Sequence, residues 1–329
     1  MLIIHALTAF IISFLTTFLS IPKVATFMKN KGIVGIDVHK LDKPKIPEMV
    51  GISMLIGFST SLVFLSIAVP NSGNVYLAVL LSIVIAAFVG FLDDFRDLSP
   101  TSKIFLALLS GFPILILKAY NPRPIIPFIG RVRLTIAYPL AIPIALSVTA
   151  NAMNMSDPVN GAMSGSALII MLTLTVAYLL TGNYIAFLTG LALTGAILAF
   201  YLHNRFPAKV FSGNVGSFAV GAAIGGLVVT SGLEIVAVIA MLPQILNSYM
   251  ILSTGGFRGK KNIIVRPTRL LENGLIEVVK DQRAPLTLVR MILANSAKTE
   301  REIAREFLAL TLFSSILALI TLLVMPLGG

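Results

Sequence analysis

The chain has 329 residues, of which 57% are hydrophobic and only 12% charged, and its mean hydropathy is +0.94. Soluble domains carry about 25% charged residues, so this composition excludes a soluble globule. The formal charge of +11 lies in loops between apolar runs, the pattern of membrane orientation and phosphate binding and not of nucleic-acid binding; cysteine is absent, which excludes disulfides.

Apolar runs near the length that crosses a bilayer core recur along the whole chain. They predict ten spans, at 2–20, 50–69, 75–92, 102–120, 135–152, 165–181, 184–202, 215–232, 234–254 and 306–326. The first has neither a basic flank nor a small-residue cleavage site, so it reads as a retained span. The fifth contains Pro139 and Pro143, and the sixth and seventh are joined only by Gly182-Asn183. Every span should be helical, because an open sheet cannot satisfy its backbone in lipid. The expected fold class is therefore an all-α integral membrane protein, a single polytopic domain over 1–329.

Of the 25 lysines and arginines, 21 fall in the loops after odd-numbered spans, and the other four are Lys118, Arg123, Arg131 and Arg133. That asymmetry places the odd-numbered loops in the cytoplasm and both termini outside. The carboxylates, Glu234 excepted, lie on the same side, although acidic residues do not set topology; an active site at the cytoplasmic face supplies a reason. The last inner loop, 255–305, is long. Its β-prone runs 263–265 and 275–279 flank Asn273-Gly274, which predicts a hairpin. Residues 284–304 mix apolar and charged side chains and predict an interfacial amphipathic helix.

Four polar constellations sit at span ends on that face. The third span ends in Gly90-Phe-Leu-Asp-Asp-Phe-Arg-Asp97, and Lys103 follows. Adjacent carboxylates at a membrane boundary are costly; a divalent cation, a cationic substrate or solvation of the helix end would each offset that cost. Oxygen ligands there suit Mg²⁺, which takes one or two carboxylates plus substrate phosphates. The second constellation, Asn151-Ala-Met-Asn-Met-Ser-Asp-Pro-Val-Asn-Gly161, offers amides that suit a base, a sugar or a metal, or simply a polar turn. The third, Phe211-Ser-Gly-Asn-Val-Gly-Ser217, opens a helix whose free backbone N–H groups suit a phosphate, though such residues also make ordinary turns. In the fourth, Arg266-Pro-Thr-Arg269, two guanidiniums suit a pyrophosphate or lipid headgroups.

Together with Gly35-Ile-Asp-Val-His-Lys and Lys45-Ile-Pro-Glu-Met-Val-Gly51 in the first inner loop, and Gly274-Leu-Ile-Glu in the last, these motifs occur in an order that resembles the polyprenyl-phosphate N-acetylhexosamine-1-phosphate transferases. That family includes the dolichyl-phosphate GlcNAc-phosphotransferase and the phospho-MurNAc-pentapeptide transferase. The resemblance covers nearly the whole chain. It implies transfer of a sugar 1-phosphate, GlcNAc-1-phosphate first among them, from a UDP-sugar to polyprenyl or dolichyl phosphate, with release of UMP.

The resemblance also implies site roles. Asp93 and Asp94 lie beside the lipid phosphate, Lys103 neutralises charge, and Asp97 is set aside. Asn154 and Asn214 are metal ligands for Mg²⁺, with Mn²⁺ as a substitute. Asn160 and Phe211 contact uracil, Arg266 and Arg269 the pyrophosphate, and Glu48 of the first loop is a further substrate-binding residue. The expected location is the cell membrane of a prokaryote or the endoplasmic reticulum membrane of a eukaryote. A homodimer is compatible with the family, and nucleic acid is not an expected partner. The chain departs from the family pattern at two places. Asn214 stands where the family has aspartate, with Asp157 as a candidate to compensate, and the loop around Arg266 holds no histidine. His39 and His203 read as polar loop residues. The rival reading is a secondary transporter with helices broken at Pro139 and Pro143, against which the ionisable residues gather at one face and no inverted repeat is visible.

Overall fold

The computed structural model of the chain describes residues 1–255 and 265–326. Helix α1 (Leu2–Asn30) leads to a hairpin of β1 (Val34–Ile36) and β2 (Lys45–Pro47), then to α2 (Ile52–Ala68) and α3 (Gly73–Arg96). Helices α4 (Pro100–Ala107) and α5 (Phe112–Ile116) are separated by a tight turn over Leu108–Gly111. A two-residue hairpin of β3 (Ile125–Ile126) and β4 (Gly130–Arg131) precedes α6 (Ala137–Asn154), α7 (Ala162–Leu180), α8 (Tyr184–Asn204) and α9 (Gly213–Ser231). The chain continues through α10 (Glu234–Ala240) and α11 (Leu242–Gly255), and after the segment outside the description through β5 (Thr268–Leu270), β6 (Ile276–Val278), α12 (Leu288–Ile292) and α13 (Glu300–Leu323).

Six of these helices, α1, α3, α7, α8, α9 and α13, are long and apolar enough to cross a membrane; α10 and α11, bent by 68° at their junction, make a seventh if they count as one span. Helix also occupies the other three expected segments, but none of them meets that measure among the described residues. Helix α2 has 17 residues, α4 and α5 are interrupted, and α6 carries Pro143 and ends in Asn151 and Asn154.

The last loop departs from expectation in two ways. In its hairpin β5 pairs antiparallel with β6, Leu270 opposite Ile276, around a turn with Gly274 at φ +79°. Of the expected first strand, 263–265, residues 263 and 264 lie outside the described residues and Val265 is not in a strand. Counting outward from Asn273-Gly274 through a five-residue loop puts the partner of β6 at 268–270. Residues 284–304 do not form one amphipathic helix either. Helix α12 stops after five residues, and α13 begins at Glu300, where Thr299 and Glu302 form a reciprocal capping box that starts a new helix.

Helix α9 is the centre of the bundle. Its sequence is rich in Gly, Ala, Ser and Val, and 83% of its most apolar stretch is buried. Small side chains let helices approach closely in lipid, where packing replaces the hydrophobic effect as the cohesive force. It packs on α3 and α6, and less extensively on α2, α7 and α8. One close approach is at Gly90 of α3, where an added Cβ would lie 2.3 Å from the backbone oxygen of Asn214. Gly90→Ala should therefore push α9 away from α3, at a cost of about 1–3 kcal/mol. A thermal midpoint equal to the parent protein's would show that the contact does not restrain the bundle.

Candidate functional site at the helix ends

The β1–β2 hairpin and the segment before α9 form one backbone unit. Phe211 N–H donates to Pro47 O (2.9 Å), Val50 N–H to Phe211 O (3.0 Å) and Gly51 N–H to Ser212 O (3.1 Å). Residues 211–212 thus run alongside 47–51 in a short ladder, which fixes the Phe211 ring against the hairpin. A Cβ on Gly35 would stand 2.9 Å from that ring and 3.1 Å from Glu48 Oε2, so the missing side chain leaves room for Phe211 and Glu48 at one spot.

The two aspartates at the end of α3 have separate tasks. Asp94 accepts from the N–H groups of Asn214 (2.8 Å) and Val215 (3.0 Å), one on each carboxylate oxygen. These are donors that a helix start leaves without intrahelical partners. The expectation that they bind a phosphate is corrected: a carboxylate of the chain itself already holds them. Gly213 makes this possible at φ +65°, a backbone conformation that side chains disfavour. Asp93 is buried; it accepts from Leu98 N–H (2.9 Å) and pairs with Lys103 Nζ at 2.6 Å. Asp97 closes α3 in the left-handed conformation at φ +47°.

Next to Asn214 lies a cavity of about 290 Å³ lined by Glu48, Asn154, Asp157, Asn160, Phe211 and Asn214, among others. Five of these six are residues that the sequence marks for substrate or metal. Asn154 donates through Nδ2 to Asn214 Oδ1 (2.6 Å) and Ser217 Oγ (2.9 Å), so the two expected metal ligands touch. Asp157 accepts from Ser212 Oγ at 2.6 Å. Asp157 as a residue is exposed, but its carboxylate lines the cavity, where desolvation first and the charge of Glu48 second push its pKa up to about 6 against the Ser212 hydrogen bond. Burial likewise raises Glu48. Two carboxylates that repel each other across a small cavity, beside two amides, form an all-oxygen donor set of the kind that suits Mg²⁺ or Mn²⁺. The residues present fit such an ion.

Asn160 is held by groups that the sequence did not single out. Its N–H donates to Glu300 Oε1 (2.9 Å), and its Nδ2 to Asp37 Oδ2 (3.0 Å), which also pairs with Lys40. Burial pushes the Asp37 carboxyl up, but the hydrogen bonds from Lys40 and Asn160 more than offset this and hold it low. His39 joins Asp37 and Glu300 in a group whose ligand atoms lie within 4.8 Å of one another. Burial lowers the His39 pKa; Asp37 opposes that shift, and Arg266 and Lys40 reinforce it. His39 is thus a site residue and not a plain loop residue, whereas His203 packs edge-on against Phe18. No spacing rule connects Asp37 with Glu300, so only the fold reveals the pair.

Arg266 and Arg269 border a second cavity of about 900 Å³, which shares Ile36, Val38, His39 and Pro158 with the first. Arg266 stands near His39, while Arg269 is bound by Glu277, its cross-strand neighbour. The two arginines are therefore not equivalent.

A family model described as glycosyl transferase family 4 matches residues 76–232. Over 262 residues the chain is 32% identical to a Saccharolobus solfataricus protein provisionally named as a UDP-N-acetylglucosamine–dolichyl-phosphate N-acetylglucosaminephosphotransferase, covering 79% of this chain and 81% of that one. A protein of the same provisional name from Sulfolobus acidocaldarius is 31% identical, with 73% and 75% covered. The phospho-N-acetylmuramoyl-pentapeptide-transferase of Streptococcus mutans is 30% identical, with 67% and 70% covered.

Two outcomes follow from the geometry. Lys103→Met leaves the buried Asp93 charge without its cation and should destabilise the protein by roughly 3–5 kcal/mol; Lys103→Arg should recover most of that loss, and equal thermal midpoints for Lys103→Met and the parent would contradict the pairing. Asp157, with its pKa raised to about 6 from 3.8, retains a proton in the native state that the unfolded chain has already released. Stability contributed below pH 4 is then lost as pH rises through 6. Asp157→Asn should flatten this slope, which denaturation midpoints between pH 4 and 7 will read.

Proposed function

This chain belongs to glycosyl transferase family 4, and we propose that it transfers GlcNAc-1-phosphate from UDP-GlcNAc to a dolichyl or polyprenyl phosphate. An oxygen of the lipid phosphate attacks the β-phosphorus of the nucleotide sugar. The bond from that phosphorus to the bridging oxygen breaks, UMP leaves, and a lipid-linked sugar pyrophosphate forms. The observation that carries this reading is the 290 Å³ cavity, which brings together Glu48, Asn154, Asn160, Phe211 and Asn214 from three separate segments.

Each residue has a chemical task in this reading. The Phe211 ring, fixed by its ladder to residues 47–51, offers a face for uracil to stack on. The Asn160 amide, clamped by Asp37 and Glu300, is positioned for the edge of the base. Asn154, Asn214 and Asp157 would hold Mg²⁺ or Mn²⁺, which when bound supplies positive charge to the pyrophosphate. Phosphoryl transfer needs positioning and neutralisation of charge more than covalent chemistry. Lys103 neutralises the attacking phosphate from beside Asp93, and Arg266 faces the diphosphate from the neighbouring cavity. Asp94 acts as a positioning residue, because both of its oxygens hold the start of α9. A lipid phosphate is already anionic near neutral pH, so no general base is required.

The lysine and arginine distribution supports a cytoplasmic face for this site and an outward position for both termini. Purified protein incubated with UDP-GlcNAc, dolichyl phosphate and Mg²⁺ should release UMP, and chelation of the metal should stop it. No UMP from any UDP-sugar with lipid and metal present would sink the proposal. Asn160→Ala should raise the KM for UDP-GlcNAc at least tenfold, and an unchanged KM would remove Asn160 from the nucleotide pocket.

A further inference from the structure

The ends of three membrane helices meet in a groove that borders the first cavity at Asn160. The start of α7, the end of α8 and the start of α13 enclose about 490 Å³, with Arg205, Lys209, Arg301 and Arg305 on its walls. All four side chains are exposed, and among the described residues none pairs with a carboxylate. The acidic neighbours on α13 are engaged elsewhere: Glu300 by Asn160, Glu302 by Thr299 and Glu306 by Lys298. None of the four cations is in a salt bridge among the described residues, although Glu302 lies near enough to feel the charge of Arg305.

Gly161 borders the groove, and a Cβ there would lie 2.9 Å from Arg205 Cα. On α7 a Cβ on Gly165 would meet Leu308 at 2.8 Å and Tyr201 at 3.0 Å, so α8 and α13 each pack closely on α7 with the groove between them. On α13 the positions Arg301, Arg305, Leu308, Leu312 and Ile316 recur at three- and four-residue spacing and form one stripe. Its first two members are charged, and Leu312 and Ile316 are 51% and 48% exposed. From Phe307 to the end of α13 no charged residue occurs. The groove straddles this change from charged to apolar surface, with Arg305 and Leu308 on one wall.

We propose that this groove binds an anionic phospholipid of the surrounding bilayer, its phosphate among the four cations and one chain along the α13 stripe. A soluble phosphate would use the cations but not the apolar stripe. A zwitterionic lipid would use the stripe but would satisfy the charge poorly, since juxtamembrane basic clusters favour anionic lipid. The proposal does not depend on the transferase reading, because it is tested by binding alone.

The test is native mass spectrometry of the full chain in detergent micelles doped with phosphatidylglycerol or phosphatidylcholine. The parent protein should retain phosphatidylglycerol over phosphatidylcholine, and raising the salt concentration before desalting should reduce that preference. Arg301→Gln combined with Arg305→Gln should lower bound phosphatidylglycerol at least fivefold and leave phosphatidylcholine unchanged; both residues are exposed, and a parallel thermal melt confirms the fold. Equal retention of the two lipids by the parent, or equal retention of phosphatidylglycerol by parent and variant, overturns the proposal. Displacement of phosphatidylglycerol by equimolar polyprenyl phosphate would assign the groove to the acceptor lipid instead. Loss of a dimer in the variant without loss of lipid would make the face an interface between copies.

Discussion

The site depends on one interaction, the Asp94 carboxylate seated on the first turn of α9. A helix start presents unpartnered N–H groups and the positive end of the helix dipole, so an anion there is favourable. Because that anion belongs to the chain, it joins the end of α3 to the start of α9. Asn214 is thereby set beside Asn154, and residues 211–212 are set beside the first hairpin. Gly90 and Gly213 contribute by having no side chain where α3 and the turn before α9 come closest. The same bond occupies the N–H groups of Asn214 and Val215, which are therefore not free for a phosphorylated ligand.

The carboxylates divide accordingly. Asp93 pairs with Lys103 and Asp37 with Lys40. Glu300 accepts from Asn160. Asp157 and Glu48 face the cavity with no cationic side chain paired to either among the described residues. Each is raised by its surroundings. Paired carboxylates of the first kind hold the frame in place, while the two unpaired ones leave a local excess of negative charge. That excess distinguishes a cavity suited to a cation from one that merely contains polar atoms.

Much of this was legible in the sequence, and the limits are physical. Asp93, Asp94, Asn154 and Asn214 stand out because polar residues at the ends of apolar runs are costly unless used, whereas Asn160 and Phe211 were marked by the family resemblance. Helix likewise follows from the demand that lipid places on the backbone, although the interrupted α4 and α5 and the bend between α10 and α11 are set by packing and not by composition. Partner choice was not legible. Nothing local indicates that Asp94 will cap α9, or that Glu300 will bind the backbone of Asn160 from the far end of the chain. The amphipathic pattern over 284–304 was real, but the Thr299 and Glu302 cap outweighs periodicity and restarts the helix.

The register of the last hairpin decides which arginine is available for chemistry. Leu270 and Val278 pack with the buried Ile276 against the cluster formed by α12 and α13. Alternation along the strands then turns Arg269 and Glu277, which lie between these positions, to the opposite face, where they neutralise each other. Arg266 precedes the strand, escapes this pairing and lines the larger cavity together with Lys43 and His39. Burial lowers the His39 pKa, Arg266 and Lys40 reinforce that shift and Asp37 opposes it. Arg266 and Lys43 thus bring positive charge to the larger cavity, while the charge of Arg269 is matched by Glu277.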